Sequence, residues 1–298
     1  MQLLFVWIFQ FGIDINAKSC YTINMKCDLH LHTTCSDGSL TPEEIVALAK
    51  EKGIDVIAIT DHDTAKGVEV AQREGQKLGV RVIGGIEVST LSGNKEVHVL
   101  GFNLDTSTRQ FAQDVNRLSQ MRNNRNKQLV AKLKKHGVDI NLDEIQSHGK
   151  SIGRADIAKE MVAKGYCKDV PEAFENYIGN GKKCYVQVKR MTTVEAVEFI
   201  ARHKGVSVLA HPKNLHMTHE TFEKFLQSLV KAGLNGIEAD YFTHTTAERK
   251  FYNQMAKKYN LFVTGGSDFH SCTYGVAIGK KSFTPNTLTK RNLGLEDN

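Results

Sequence analysis

The stretch Cys27-Asp28-Leu29-His30-Leu31-His32-Thr33-Thr34-Cys35-Ser36-Asp37-Gly38 decides how the rest of the chain is read. It reads as a strand followed by a turn, and side chains two apart on a strand face the same way. His30 and His32 can therefore hold one ion together, and Asp37, beyond the turn, can swing back to the same place. A lone His-x-His pair is equally at home on an ordinary surface or core strand. This pair is not alone.

From Met25 onward the sequence repeats one rhythm: a short apolar run, a histidine or acid, then an amphipathic helix. Residues 54–60 end in Asp61-His62-Asp63, residues 81–86 end in Glu87, and residues 97–102 carry His98. Residues 206–210 lead into His211-Pro212, residues 236–239 contain Glu238, and residues 261–264 lead into Gly265-Gly266-Ser267-Asp268-Phe269-His270. Such runs, rich in β-branched residues and bounded by Gly, Pro or Asp, read as buried strands. Helices are predicted between them, at 193–203, 218–232 and 246–259. Another starts at Thr41-Pro42-Glu43-Glu44, with Thr as cap, Pro first and Glu third. Strand–helix alternation predicts a parallel α/β fold, and chemistry at each strand end predicts a barrel.

Residues 105–185 break the rhythm. A long helix over 109–136 carries Arg122, Arg125, Lys127, Lys132, Lys134 and Lys135, which read as a solvated face. More helical sequence follows through Tyr177, giving a helical insertion that caps a barrel made of residues 25–104 and 186–298. Residues 1–24 read as an N-terminal extension, too short in its apolar run to span a bilayer, with Met25 a plausible start.

Bulk composition sets outer limits. A 298-residue chain with 41% hydrophobic and 24% charged residues is globular rather than disordered. The net charge of +6 is mild, and it suits an anionic substrate without naming one. None of the six cysteines forms a CxxC pair, which argues against a zinc finger or disulfide framework and for a reducing cytoplasm. No membrane association and no stable DNA complex are expected, and the oligomeric state is left open.

His30, His32, Asp37, His62, Glu87, His98, His211, Asp268 and His270 all lie in or just past an expected strand. Converging on one barrel face, they would leave competing imidazoles and uncompensated charge unless cations bound them. Nine nitrogen and oxygen ligands exceed what one ion takes, so two or three ions are expected. Mixed His and carboxylate ligands suit Mn, Fe or Zn. Such ions lower the pKa of bound water.

Asp28-Leu29-His30-Leu31-His32-Thr33 with Ser36-Asp37-Gly38, then Thr60-Asp61-His62-Asp63-Thr64, resembles the PHP (polymerase and histidinol phosphatase) family. Gly85-Ile86-Glu87-Val88-Ser89, His98-Val99-Leu100-Gly101, Ala210-His211-Pro212 and Gly266-Ser267-Asp268-Phe269-His270 match its later motifs in order, over residues 25–279. The resemblance implies a distorted (β/α)7 barrel and a trinuclear site, with manganese first and zinc or iron as alternatives. By that resemblance His30, His32, Glu87 and Asp268 hold one ion. Glu87 bridges to a second held by His98 and His211, and Asp37, His62 and His270 hold the third. The insertion and Gly236-Ile237-Glu238 are most similar to the branch that hydrolyses nucleoside 3′,5′-bisphosphates and trims short RNA from its 5′ end. The expected partner is a small nucleotide or short RNA oligonucleotide.

In that branch Arg154 implies a phosphate-binding fork, and His244 a proton donor to the leaving oxygen. The chain departs from the branch at Arg154-Ala155-Asp156, where a histidine usually occupies the last position. An acid there would repel phosphate unless it faces away or pairs with Arg154. A small-metabolite phosphatase of the histidinol-phosphate type, or an inactive metal-binding module, are the competing readings. His136, His148, His203, His216 and His219 lack a motif and read as surface residues.

Overall fold

The computed structural model describes residues 25–93, 95–145, 152–187, 190–271, 276–280 and 283–296. The N-terminal extension over residues 1–24 and His148 lie outside the described residues. Seven strands form one sheet in chain order: β1 (Cys27–Leu31), β2 (Val56–Ile59), β3 (Arg81–Ser92), β4 (Lys95–Phe102), β5 (Val206–Leu209), β6 (Gly236–Tyr241) and β7 (Phe262–Gly266). The sheet curls until its first and last strands meet. Leu31 bridges Phe269 in parallel register, and His32 N–H donates to the Phe269 carbonyl at 3.0 Å. Gly266 permits this closure, because a Cβ there would stand 2.5 Å from the Cβ of His30.

The parallel arrangement that strand–helix alternation predicts holds for six strands and is interrupted at β4. β1–β2–β3 and β5–β6–β7 are parallel, whereas β4 runs antiparallel to both β3 and β5. β3 continues past the apolar run to Ser92, which pairs with Lys95, leaving only residues 93–94 between the strands. A link that short can only reverse the chain. Gly93 at φ +59 supplies the left-handed turn residue.

Helices pack outside the sheet: α1 (Pro42–Glu51), α2 (Val68–Leu78), α6 (Thr193–Arg202), α7 (His219–Lys231), α8 (Thr246–Lys258) and α9 (Thr287–Leu293). α1 starts as the sequence predicts. The Thr41 hydroxyl accepts from Glu44 N–H at 3.2 Å, and the Glu44 carboxylate accepts from Thr41 N–H at 2.7 Å. Thr192 with Glu195 and Thr245 with Glu248 repeat this reciprocal cap on α6 and α8.

Between β4 and α6 come α3 (Arg109–Lys135), α4 (Arg154–Ala163), α5 (Val170–Ala173) and a π-helical turn, Phe174–Ile178. These bury a core of their own, built on Leu129, Leu133, Ile157, Met161 and Ile178. The barrel core is a separate cluster that includes Leu29, Ile86, Leu100, Phe199 and Phe262. α3 is amphipathic, and its buried face includes Arg125 and Asn126 alongside Leu118 and Leu129. The reading of its basic residues as a solvated face is therefore corrected for Arg122 and Arg125. His203 is corrected too. It is 4% exposed, 3.2 Å from an Asp114 carboxylate oxygen and packed between Phe111 and Phe199. His136, His216 and His219 are exposed. Among the described residues, no helix is long and apolar enough to cross a membrane.

Candidate metal centre

Ligand-type side chains gather at one end of the barrel, most of them just past the ends of parallel strands, the face on which barrels of this kind carry their chemistry. Glu87 and His98 lie within β3 and β4. β1 presents His30, with His32 one residue past its end, the β2 extension His62, β3 Glu87 and β4 His98. Beyond β5 comes His211, and beyond β7 come Asp268 and His270. His211 and Asp268 adopt positive φ values, +27° and +50°, a region L residues other than Gly uncommonly occupy.

Glu87, 1% exposed, is the hub. Its Oε1 lies 2.9 Å from His98 Nδ1, 3.0 Å from His211 Nε2 and 3.4 Å from His30 Nε2. Its Oε2 lies 2.9 Å from His62 Nδ1 and 3.2 Å from His32 Nε2. Asp268 Oδ1 stands 3.1 Å from His32 Nε2 and 3.4 Å from His30 Nε2. Asp37 Oδ1 stands 3.3 Å from His270 Nε2. The nine side chains singled out in the sequence thus meet in one place.

Three groups within this cluster have ligand atoms all within 4.8 Å of one another: His32, Asp37, His62 and His270; His30, His32, Glu87 and Asp268; and His62, Glu87 and His98. His211 joins the last group through Glu87 Oε1. The donor set fits divalent cations. Nε2 of His30, His32 and His98, Nδ1 of His62 and His211, and one oxygen each of Asp37, Glu87 and Asp268 are buried without a hydrogen-bond partner. A buried polar atom left unpaired is costly, and cations shared among these groups would offset that cost.

Charge alone would otherwise be balanced by protons. Burial works against a charged imidazole at His98, but Glu87 and Glu96 outweigh it and carry the ring up to about 10. Burial opposes protonation of His270 as well, and Asp37 and Asp268 carry it up to about 10. Glu87 resists its own burial and is held well below the usual carboxylate range by His62, His98 and His30.

Buried acids that sequence reasoning gave no role hold the ligands in place. Glu238 takes His30 Nδ1 at 3.1 Å on one oxygen and His211 N–H at 2.7 Å on the other. Asp61 accepts from Thr33 N–H, Thr33 Oγ1 and Ser36 Oγ at 2.8, 2.7 and 2.6 Å, tying down the loop that carries Asp37. The Tyr241 hydroxyl donates to Asp268 Oδ2 at 2.8 Å.

Above the cluster a cleft of about 160 Å³ is lined by Arg122, Arg125, Arg154, Glu96 and Phe174 together with His62 and His98. Glu96 binds Arg154 and also Arg190, the latter at 2.5 Å. Arg122 pairs with Asp63 at 2.7 Å. Arg125 is 3% exposed and its Nη2 has no partner. Burial, and after it the repulsion of Arg122, Arg190 and Arg154, pull its guanidinium well below the ordinary arginine range. Asp156 does not face this cleft as a free acid. Its Oδ2 accepts from Gly153 N–H at 2.8 Å at the start of α4, while Arg154 pairs with Glu96.

The structure does not bring His244 to the cleft. The ring is 2% exposed, its Nδ1 is 2.9 Å from the Ala239 carbonyl, and it packs against Tyr241 and Tyr252. Arg122, Arg125 and Arg190 were missed in the sequence. The Arg122/Arg125 spacing of three on a helix was the available signal, masked by the lysines around it.

The PHP domain family model matches residues 28–257. The chain belongs to the PHP family. It is a metal-dependent phosphoesterase of that family. A 5′-3′ exoribonuclease of Haemophilus influenzae is 30% identical over 86% of this chain and 93% of its own length. A 3′,5′-nucleoside bisphosphate phosphatase of Chromobacterium violaceum is 30% identical over 82% of this chain and 87% of its own. Among solved structures, an amidohydrolase of Chromobacterium violaceum with bound sulfate and no metal superposes with a TM-score of 0.82. It is 28% identical, over 91% of this chain and 96% of that one.

Proposed function

We propose that the PHP enzyme hydrolyses phosphate esters of nucleotides, either nucleoside 3′,5′-bisphosphates or the 5′ ends of short RNA, using three divalent cations. Manganese is the first choice, with zinc or iron as alternatives. His30, His32, Glu87 and Asp268 would hold one ion, His98 and His211 with Glu87 a second, and Asp37, His62 and His270 the third. Bound there, the cations supply water activation near neutral pH and charge neutralisation at phosphorus.

The observation that carries the substrate class is the arginine wall. Arg122, Arg125, Arg154 and Arg190 gather beside the metal ligands, and the carboxylates facing them are Glu96 and Asp63. A buried guanidinium with an unpaired Nη2 is a vacancy for an anion, and a planar fork matches phosphate oxygens. With one phosphoryl group at the cluster and a second held by Arg125 and Arg154, a substrate carrying two phosphates is favoured over a simple monoester. Phe174, whose ring lies 5.6 Å from the Arg154 guanidinium carbon, offers a surface for a base.

The relatives' named activities support the same class. A panel of a nucleoside 3′,5′-bisphosphate, 5′-phosphorylated short RNA, a cyclic phosphodiester and histidinol phosphate tests it. The two nucleotide substrates are expected to have the highest kcat/KM. Preference for histidinol phosphate, or bound metal with no turnover of any ester, would overturn the proposal.

A further inference from the structure

Glu238 and Tyr241 lie three residues apart on β6, yet both side chains reach the metal ligands. Glu238 holds His30 and His211, and the Tyr241 hydroxyl donates to Asp268 Oδ2. In a regular strand, side chains three apart point to opposite faces. The pairing of β6 with β7 shows how this strand departs from regularity. Glu238 stands opposite Thr264, Asp240 opposite Gly265 and Tyr241 opposite Gly266, so Ala239 is an extra residue. This is a β-bulge, rare between parallel strands. Gly265 makes room for it, since a Cβ there would stand 2.7 Å from the Cβ of Asp240.

His244 closes on this bulge from the turn that follows β6. Its Nδ1 donates to the Ala239 carbonyl at 2.9 Å, and its N–H donates to the Tyr241 carbonyl at 3.0 Å. Its ring centroid is 5.3 Å from that of Tyr241 and 4.9 Å from that of Tyr252. A carbonyl only accepts, so the ring carries its proton on Nδ1, and Nε2 is left buried without a hydrogen-bond partner. A buried nitrogen of that kind is a cost that an apolar ring of similar size would not carry. What histidine offers here over phenylalanine is the hydrogen bond to the bulge.

Fixing Tyr241 fixes Asp268. The hydroxyl occupies Oδ2, and Oδ1, buried and without a hydrogen-bond partner, faces His32 Nε2 at 3.1 Å and His30 Nε2 at 3.4 Å. We infer that His244 is a positioning residue. By holding Ala239 out of register it turns Tyr241 inward, and Tyr241 makes Asp268 offer a single oxygen to the metal. The inference rests on the reading of Asp268 as a metal ligand, and it extends that reading to a residue outside the cleft.

The test is a double-mutant cycle on manganese affinity, read by competition with a chromophoric chelator. His244→Phe keeps a ring and removes the donor, while Tyr241→Phe removes only the hydroxyl. Each should weaken manganese binding by about tenfold or more. The double variant should be no weaker than either single one, because both act through the same hydrogen bond to Asp268. His244→Asn places an amide N–H near the position of Nδ1, so its manganese affinity should stay close to that of wild type while the lost ring packing lowers Tm. In crystals of His244→Phe, Ala239 should stand opposite Gly265 and the Tyr241 hydroxyl should have left Asp268. Losses that multiply in the double variant, affinities that follow Tm with Asn the worse replacement, or a bulge that survives in His244→Phe would overturn the inference and leave the metal centre standing. Wild-type protein that takes up no manganese would overturn both.

Discussion

His30 Nδ1 donates to Glu238 Oε1 across 3.1 Å, in a pair with no solvent exposure on either side chain. A carboxylate can only accept, so the ring proton is fixed on Nδ1 and the lone pair of Nε2 is turned toward Glu87 and Asp268. Glu238 also accepts the His211 N–H with its other oxygen. One buried acid thereby orients ligands from two strands.

Glu238→Gln is nearly isosteric, yet it replaces one acceptor with a donor where both oxygens receive N–H groups. Either one contact becomes donor against donor, or the His30 proton moves to Nε2, the atom a cation would need. Metal affinity should drop about 10- to 100-fold, measured by competition with a chromophoric chelator. Much of the hydrolysis should return at high metal concentration. Unchanged affinity would show that the carboxylate does not set the ligand geometry.

Arg125 is a buried cation without a full set of partners, a cost to the substrate-free fold. Arg125→Met should therefore leave Tm unchanged or raise it. At the same time kcat/KM for a nucleotide bisphosphate should fall about 10- to 150-fold, the loss of one charged hydrogen bond of about 1.5–3 kcal/mol. A variant with a lowered Tm and normal kcat/KM would assign Arg125 a structural role instead.

The pH dependence of the metal-free protein has a defined sign. Burial disfavours charge on His98 and His270, but the carboxylates facing them lift both rings to about 10, above the ordinary histidine value of 6.5. Groups raised in the folded state contribute their stability fully below 6.5, and that contribution disappears as pH climbs toward 10. The Tm of metal-free protein should fall across that window. Loading metal must expel the same protons, so calorimetry near pH 8 in buffers of different ionisation enthalpy should detect proton release. Release of no protons, or a metal-free Tm that climbs from pH 7 to 9, would contradict the charge balance described.

Much of this was legible in the sequence, because strand-end chemistry leaves a local signature. His30-Leu31-His32, Asp61-His62-Asp63 and Asp268-Phe269-His270 each sit where an apolar run stops, and each reaches the cluster. What was not legible depends on partners distant in the chain. Whether β4 runs parallel or antiparallel is decided by the length of the link after Ser92, which no periodicity reports. Arg122 and Arg125 look like their lysine neighbours until α3 is laid against the barrel mouth. His203 looks like a surface residue until Asp114, 89 positions away, meets it. The role of Glu238 required knowing that two histidines flank it.

Asp37 depends on its loop. Asp61 accepts three hydrogen bonds from Thr33 and Ser36, and no water-exposed route replaces them, since all three residues are fully buried. Asp61→Ala should destabilise the protein by about 3 kcal/mol or more, as expected when a buried network loses its acceptor. It should also reduce metal content, read by denaturant unfolding and elemental analysis. Asp61→Asn, which retains one acceptor oxygen, should show a smaller loss. Equal stability of Asp61→Ala and wild type would sever the link between this acid and the site.

The most direct test is anomalous diffraction from crystals of the protein grown with manganese. Three peaks are expected: one among His30, His32 and Asp268, one beside His98 and His211, and one among Asp37, His62 and His270. Absence of metal from these positions, or a single ion with the remaining histidines paired only to carboxylates, would contradict a multinuclear centre.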